Sequence, residues 1–519
     1  MNKLNIAIVI LAVFLSGQAV AQKPGSISLQ IRIGNAKPND TLWMTVWDHT
    51  LSPRTMSQLP TRVYTAVNRN GLFQLRADSV QGPVYISIMK DRTKSGTMFV
   101  PIMKELLAEP GDQVSVSMDS LVPITYNFSE VGEVIMGYRK INATYTGKGA
   151  AKYEFQDNIE KQTEEWMVQH RLADWSPPAK YDSAYYTRLP KLARAAYIFS
   201  FDRFKFQMDQ LQQHKAKLSP QAWQILKANL AGAAESGQIS SFTSYRSMFR
   251  RDTTVTAAFK ARLTDTLQAI YNARKRADIQ GVSKDLLPYT IGYVEFVADQ
   301  AYYTQANQYE SLKNQEPGLL RDKAITDFIL KHMFHLKHSE EILADATASV
   351  DDSYYAAIVT GIYNRQRVGS EGFNFELPDT KGKLVRLSDF KGKIVFIDLW
   401  YTGCGACHGF YKYQLSRVEE HYVSNPDVVF ITISIDGSLD IWLKSVNEGI
   451  YSSPNSPNVV NLYTNGQGSN HPLIKAYNVM GYPHPFMIDR NGKIYQIDSL
   501  QTSAENLIPI IDKALAKKS

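Results

Sequence analysis

Cys404 and Cys407 are the only cysteines of this 519-residue chain, and they stand three apart at the end of an apolar run. No further cysteine exists to staple another region, so the rest of the chain must fold on hydrophobic cores. Hydrophobic residues make up 44% of the sequence, enough for ordinary cores, and the length suits several domains at roughly 150 residues each. The junction around the cysteines is itself constrained. Lys393 to Trp400 (KIVFIDLW) reads as a strand covered on both faces of a sheet. An apolar stripe at Cys407, Tyr411, Leu415, Val418 and Tyr422 reads as a helix. A Cys-x-x-Cys between the two places both sulfurs at a helix N-terminus, where a thiolate is stabilised. Such a pair is either a redox centre or half of a metal site.

The ends and the charge narrow the setting. Lys3, the apolar stretch Ile6 to Leu15 and the small-x-small site Ala19-Val20-Ala21 predict a cleavable secretory signal over residues 1–21. The alternative, an anchoring helix, needs about 20 apolar residues, and this core is shorter. No cysteine follows the cleavage site, which argues against a lipoprotein. The chain is therefore expected in the periplasm or cell envelope, where disulfides persist. A net charge of +7 is modest for this length, and its basic residues are scattered, so nucleic-acid binding is not expected.

Three patterns follow the signal. Residues 22–128 read as a β-rich, sandwich-like domain. Ser26 to Ile33 alternates, and Leu42 to Trp47, Phe73 to Leu75 and Val84 to Met89 continue as short strands between turns such as Asn70-Gly71 and Gly82-Pro83. Leu106 to Glu109 and Val114 to Met118 flank a further turn at Pro110-Gly111-Asp112. Residues 129–368 read as a helical region, with Ala193 to Gln213 at helical spacing and Ser219-Pro220 as an N-cap and first helical residue. His332, His335 and His338 recur there every third residue. The third drifts round a helix from the first two, and the stretch lacks the pattern of a zinc helix, so incidental packing is expected. Gly369 to Gly372 reads as a linker, and residues 369–519 turn to an α/β pattern. Val428 to Ser434 is a second strand, Leu439 to Glu448 a helix, Phe486 to Asp489 and Lys493 to Ile497 a hairpin, and Ser503 to Ala516 a closing helix. The fold class expected is multidomain α+β: a β-sandwich-like domain, a helical region and a C-terminal α/β domain.

The segment from about 372 to 519 resembles the thioredoxin fold, specifically the TlpA/ResA-like exported thiol–disulfide oxidoreductases. Leu387 to Lys393 (LSDFKGK), the FIDLW strand, CGAC, and Gly481-Tyr482-Pro483 leading into PFMIDRNGKI carry the resemblance. The front segments resemble the β domain and helical region that precede such a domain in exported proteins of Bacteroidetes. Zinc takes four ligands, and no second Cys-x-x-Cys or paired-His motif lies near the first, so redox chemistry is favoured and no metal or cofactor is expected beyond a Cys404–Cys407 disulfide. Cys404 is then the more exposed, attacking sulfur, and Cys407, one turn later, resolves the mixed disulfide. Asp398 stands alone among apolar residues, on the face shared by Phe396 and Trp400. Burial would raise its pKa and make it a proton acceptor for Cys407. The resemblance places the fold's buried acid at this position, and it matches Pro483 to the cis-proline that faces the cysteines. Tyr482 before that proline would offer backbone to a partner's extended chain. Trp400 would pack under the active-site loop. Gly403, where thioredoxin has a second Trp, implies a different substrate surface, and with Tyr482 and Trp400 makes the substrate-binding set. Ala406 replaces the proline of Cys-Gly-Pro-Cys, and His408 could add positive charge beside the thiolate.

These readings converge on an exported thiol–disulfide oxidoreductase acting on cysteine-containing exported proteins, with a membrane electron donor if it is a reductase. A thiol oxidase or isomerase would use the same residues. A peroxidase is disfavoured, because Ile397 and Tyr401 stand where the peroxiredoxin Pro-x-x-x-Thr pattern would fall. An envelope binding or assembly protein with an accessory thioredoxin-like domain is the non-enzymatic alternative.

Overall fold

The computed structural model describes residues 24–517, apart from 57–58, 60, 91–100, 129–131, 171–181, 251, 305–306, 334–335 and 337. The export signal expected at 1–21, and His335, lie outside the described residues. No described helix is long and apolar enough to cross a membrane.

Ten strands come first: β1 (Gly25–Ile33), β2 (Thr41–Trp47), β3 (Arg62–Val67), β4 (Leu72–Val80), β5 (Val84–Lys90), β6 (Met103–Ala108), β7 (Gln113–Met118), β8 (Ser120–Phe128), β9 (Gly132–Ile141) and β10 (Thr144–Lys148). Eight of them make two four-stranded sheets, β10-β7-β1-β4 and β3-β2-β5-β6, while β8 and β9 form a separate antiparallel ribbon. Side-chain alternation sets the faces. Ile27, Leu29 and Ile31 of β1 enter the same core as Leu42, Met44 and Val46 of β2. The turn at Pro110-Gly111-Asp112 carries the chain from β6 in one sheet to β7 in the other. Strands run on to Lys148, past the point at 129 where the sequence pattern was expected to become helical. The short strand β10 hides the change of pattern, since Tyr145 is its single buried side chain.

Helices dominate from Ala150 to Gln366. Leu189–His214, Pro220–Arg250, Ala257–Asn272, Ile291–Thr304, Leu319–His332, Ser339–Ser349 and Ser353–Gln366 share one core that includes Phe242, Leu267, Phe328 and Val359. Ser219 caps the second of these, its hydroxyl accepting the Ala222 N–H at 3.0 Å. That helix crosses Ile291–Thr304 so closely that a Cβ on Gly232 would lie 2.3 Å from the Gly292 carbonyl. His332 is buried and stacks on Tyr302 at 3.8 Å, whereas His338 is exposed at the start of the next helix, so these two do not share a ligand.

The C-terminal unit contains β11 (Glu376–Pro378), β12 (Leu384–Arg386), β13 (Ile394–Trp400), β14 (Val428–Ser434), β15 (Val459–Tyr463), β16 (Phe486–Ile488) and β17 (Ile494–Gln496). Its five-stranded sheet runs β15-β14-β13-β16-β17, parallel across β13–β14–β15 and antiparallel at β16 and β17. Val395, Ile397 and Leu399 of β13 face one core, and Ile394 and Phe396 face the other, under the helices Ser416–His421 and Ala504–Ala516. All seven β13 residues are buried.

Polar seams join the three regions. Asp327, fully buried, accepts from the Ser52 backbone N–H at 3.0 Å and hydroxyl at 2.6 Å, and from the Thr55 hydroxyl. Lys331 lies 3.9 Å from the same carboxylate. On the other side, Gln366 donates to the Tyr477 carbonyl at 2.8 Å and Asn478 to the Leu330 carbonyl at 3.2 Å. The stretch expected as a linker is hydrogen-bonded as well. Gly369 N–H donates to Ile494 O, Ile494 N–H to Ser370 O, and Gly372 N–H to Gly492 O.

An Asp327→Ala variant strands three donors and removes one of Lys331's counter-charges in a buried place. The expected loss is roughly 3–5 kcal/mol, read as a lower Tm by calorimetry, with Asp327→Asn, which keeps an acceptor, losing less. Equal Tm values for Asp327→Ala and the parent chain would contradict a stabilising role for this seam.

Candidate active site

The chain leaves the centre of the sheet at Trp400 and must turn at once to start a helix. Gly403 supplies the turn with φ of 92°, a left-handed conformation that favours glycine. Two side chains fix the loop from outside. Asp436 accepts the Thr402 N–H at 2.9 Å and hydroxyl at 2.8 Å, and the Tyr451 hydroxyl accepts the Gly403 N–H at 2.8 Å. Tyr451 also stacks on Trp400 with ring centroids 4.8 Å apart, so Trp400 lies beneath the loop as a packing residue.

Cys404 is the N-cap of the helix Gly405–Phe410, and its Sγ accepts the Cys407 N–H at 3.1 Å. The two cysteines form a disulfide, with 5.2 Å between their Cα atoms. Cys404 keeps 4% exposure and Cys407 1%, while Tyr401, Gly403, Gly405 and Ala406 around them are exposed. An N-cap sulfur that receives a backbone N–H at the positive end of a helix is stabilised as a thiolate once the disulfide opens. His408 is turned away from this role, with Nδ1 at 3.1 Å from the Ile450 carbonyl oxygen.

Residues far along the chain meet this helix. The Tyr482–Pro483 peptide is cis, and the Tyr482 carbonyl oxygen lies 3.9 Å from Cys404 Sγ. The Tyr482 ring meets Tyr401 edge-on at 5.5 Å. Pro483 is buried, and its carbonyl accepts from Gln501 at 2.6 Å. The structure thus gathers Cys404, Cys407, Gly403, Trp400, Tyr482 and Pro483 at one end of the sheet. The helix continues through a π-helical turn, Tyr411–Leu415, to Ser416–His421.

Asp398 lies behind the loop, 2% exposed at the middle of β13, with Oδ1 lacking a hydrogen-bond partner. Burial pushes its carboxyl up to about 8, and the backbone N–H groups of His484 and Leu399 offset that only in part. Glu419, absent from the sequence reading, is the second buried acid, also 2% exposed. Burial first and the Asp398 charge second push it up to about 8. Its signal was present in the sequence, because Leu415, Val418, Glu419 and Tyr422 follow the i, i+3, i+4, i+7 spacing of a buried helix face. Tyr451 and Asp436 were missed too, and nothing local in the sequence marks them as holders of the loop. Among the described residues, no three His, Cys, Asp or Glu side chains converge to hold a metal.

Residues 367–515 match the Redoxin family. The thiol-disulfide oxidoreductase ResA of Bacillus thuringiensis subsp. konkukian (strain 97-27) is 30% identical over 151 residues, which cover 29% of this chain and 79% of that protein. The ResA of Bacillus subtilis (strain 168) is 27% identical over 129 residues, 25% of this chain and 65% of its own length. A solved thioredoxin domain of a thiol-disulfide oxidoreductase from Bacteroides vulgatus is 26% identical, covers 28% of this chain and 96% of its own, and has a TM-score of 0.24.

Asp398 has a raised affinity for its proton in the folded state, against 3.8 for an unperturbed Asp. As pH climbs from about 4 to about 8, the unfolded chain loses this proton before the folded chain does, so folding stability falls over that interval. Asp398→Asn abolishes this ionisation. The variant is expected to gain nothing below pH 4 and to gain progressively above it, reaching a few kcal/mol at pH 8, at ~1.4 kcal/mol per pKa unit. Denaturant melts of both chains at a series of pH values read the difference, and a gap independent of pH would contradict the buried-acid assignment.

Proposed function

This chain belongs, through residues 367–515, to the ResA-like thiol–disulfide oxidoreductases of the Redoxin family, and from that premise we propose that it is an exported reductase of protein disulfides. The observation that carries the reading is the placement of Cys404 Sγ. It sits at a helix N-cap, receives the Cys407 N–H at 3.1 Å, and lies 3.9 Å from a backbone carbonyl that a bound peptide would adjoin.

In the proposed cycle the reduced protein carries a Cys404 thiolate. It attacks one sulfur of a substrate disulfide, forming a Cys404–substrate bond and releasing the other substrate sulfur as a thiolate, which takes a proton from water. Cys407 then passes its proton to the buried carboxylate of Asp398 and attacks Cys404 Sγ as a thiolate. The second substrate sulfur leaves and is protonated in turn. Two electrons have moved from the dithiol to the substrate, and the protein is left with a Cys404–Cys407 disulfide. Tyr482 and Pro483 offer backbone for strand-like pairing with the substrate chain. Trp400 supports the loop from below, and the bare Gly403 leaves room for the substrate above it. A membrane donor returns the two electrons. The signal-like segment 1–21 supports a periplasmic or envelope location, and exported proteins with cysteines are the substrate class.

The tests follow the sulfurs. Cys404→Ser is expected to abolish disulfide reduction with insulin as substrate, and Cys407→Ser is expected to accumulate mixed disulfides on Cys404 in envelope extracts. Full insulin reduction by Cys404→Ser, or trapping on Cys407 in its place, would overturn the assignment.

A further inference from the structure

Two lysines of the helix Leu319–His332 are buried two turns apart, and the fold treats them differently. Lys331 lies 3.1 Å from Glu295, 2.7 Å from Asp299 and 3.9 Å from Asp327. Burial lowers its proton affinity, and the charges of those three acids more than reverse the effect. Lys323, 4% exposed, has no such company. Its Nζ donates to the Thr50 hydroxyl at 2.9 Å and to the Pro288 carbonyl at 2.6 Å, both neutral oxygens. The Tyr289 and Tyr355 rings lie 5.7 Å and 5.6 Å from the same Nζ. Among the described residues no carboxylate forms an ion pair with it. Burial pushes its ammonium down to about 7, and the Asp352 charge offsets this only in part. A buried cation left without a counter-charge is expensive, and packing alone gives no reason to keep one here.

Lys323 lines a cavity of about 720 Å³ between the β domain and the helical region. The β domain contributes Asp48 and His49, just after β2, and the turn Gly82-Pro83 before β5. Three phenol rings, Tyr289, Tyr354 and Tyr355, line the helical side together with Leu319. These walls are set in advance. The Tyr354 ring stacks on His49 at 3.5 Å and meets Tyr355 edge-on at 5.2 Å, and the Tyr355 hydroxyl donates to the Thr50 carbonyl at 3.2 Å. The acids of the lining are already engaged. Asp48 makes a two-point pair with Arg62, whose remaining bonds go to the Tyr64 hydroxyl and the Asp78 carbonyl. Asp352 Oδ1 caps the helix Ser353–Gln366, accepting the Tyr354 and Tyr355 N–H groups at 3.0 and 3.2 Å. Burial and the Lys323 charge hold His49 below the ordinary histidine value, so its ring is neutral at neutral pH. Lys323 is thus the one cation among the described lining residues that is not paired with an acid. A cavity of this size at a domain boundary suits a small organic ligand.

We propose that this cavity binds a small monocarboxylate with an aromatic or other apolar body, the carboxylate supplying the counter-charge that Lys323 lacks and the body lying against the phenol rings. Every lining residue precedes 367, so the site is separate from the redox unit and stands or falls without it. The Asp48 and Asp352 charges disfavour a dianion, which sets inorganic phosphate apart from a carboxylate. A bound carboxylate holds Lys323 in its protonated form. Above the pH at which the free ammonium titrates, binding must therefore draw a proton from solution. The ligand would also touch both regions at once and so stabilise their docking.

Titration calorimetry of the full-length protein with 3-phenylpropionate is expected to show saturable binding at one site. The uncharged 3-phenylpropionamide, of the same shape, and inorganic phosphate should each bind at least roughly tenfold more weakly. Lys323→Met should weaken 3-phenylpropionate binding by a similar factor and leave insulin reduction unchanged. Because Lys323 also holds Thr50 and Pro288, a second readout uses the parent chain, whose folding is not in question. At pH 8, heats measured in buffers of different ionisation enthalpy should report uptake approaching one proton per bound 3-phenylpropionate. The uptake should fade by pH 6, where Lys323 is protonated before the ligand arrives. His49→Gln should keep the uptake, which assigns the proton to Lys323. Four results each overturn the proposal: no saturable binding at about 10 mM probe, amide or phosphate binding as tight as the carboxylate, binding unchanged in a folded Lys323→Met chain, and proton uptake at pH 8 that is absent or is lost with His49→Gln.

Discussion

Asp398 sits midway along a strand with sheet neighbours on both edges and helices on both faces, so its charged form does not meet bulk water. An isolated carboxylate in such a place carries a desolvation penalty that packing cannot remove. The surrounding residues limit the penalty without cancelling it. Thr432 and Asn461 extend a polar row beside it, and backbone N–H groups of His484 and Leu399 lean toward it. The penalty becomes useful through position, because the same strand ends two residues later and delivers Cys404 to the start of the next helix. A group that resists giving up a proton at neutral pH is thereby fixed behind a pair of sulfurs whose chemistry needs protons moved.

Rigidity of the loop between strand and helix comes from elements distant in sequence. Asp436 at the end of β14 holds Thr402, and Tyr451 holds Gly403 while stacking on Trp400. The contacts that tie the C-terminal unit to the helices before it fall elsewhere, on residues 476–478, 492–494 and 498. The exposed positions beside the sulfurs, Tyr401, Gly403, Gly405, Ala406 and Gly481, are not among them. A partner chain can therefore approach the sulfurs without competing with the seam that orients the unit.

Local pattern made the redox unit legible. The apolar run of β13, the Cys-x-x-Cys, the hairpin of β16 and β17 and the closing helix each carry their signal within a dozen residues, and the resemblance supplied Pro483 at a distance. The parts that escaped notice depend on contacts across the chain. β15 reads VVNLY, where Asn461 interrupts the apolar pattern, and only pairing with β14 makes it a strand. β10 buries one side chain, and the supposed linker at Gly369 to Gly372 gains its order from backbone bonds to residues more than a hundred positions away. Glu419 is the instructive case. Its position on the buried face followed from helical spacing, but a charged residue there invites placement outside the stripe. The opposite inference is the sounder one, since a carboxyl at a buried helical position beneath a reactive site is a candidate for proton chemistry.

The need for an interior proton acceptor follows from exposure. Oxidation of a dithiol to a disulfide releases two electrons to the substrate and frees two protons. If Cys404 is already a thiolate at its helix N-terminus, one of those protons has left before the reaction begins. The other belongs to Cys407, which keeps 1% of its surface and lies one helical turn deeper. Water cannot take it directly through a packed face made of Trp400, Trp442 and Tyr451. An acceptor on the inner side must have a proton affinity comparable to that of the thiol, or transfer would be too uphill to compete. An ordinary carboxylate near 4 would fail that requirement, whereas a buried one raised to about 8 meets it. In the proposed cycle, burial of a carboxyl in β13 is therefore what lets a deeply placed second cysteine act as a nucleophile.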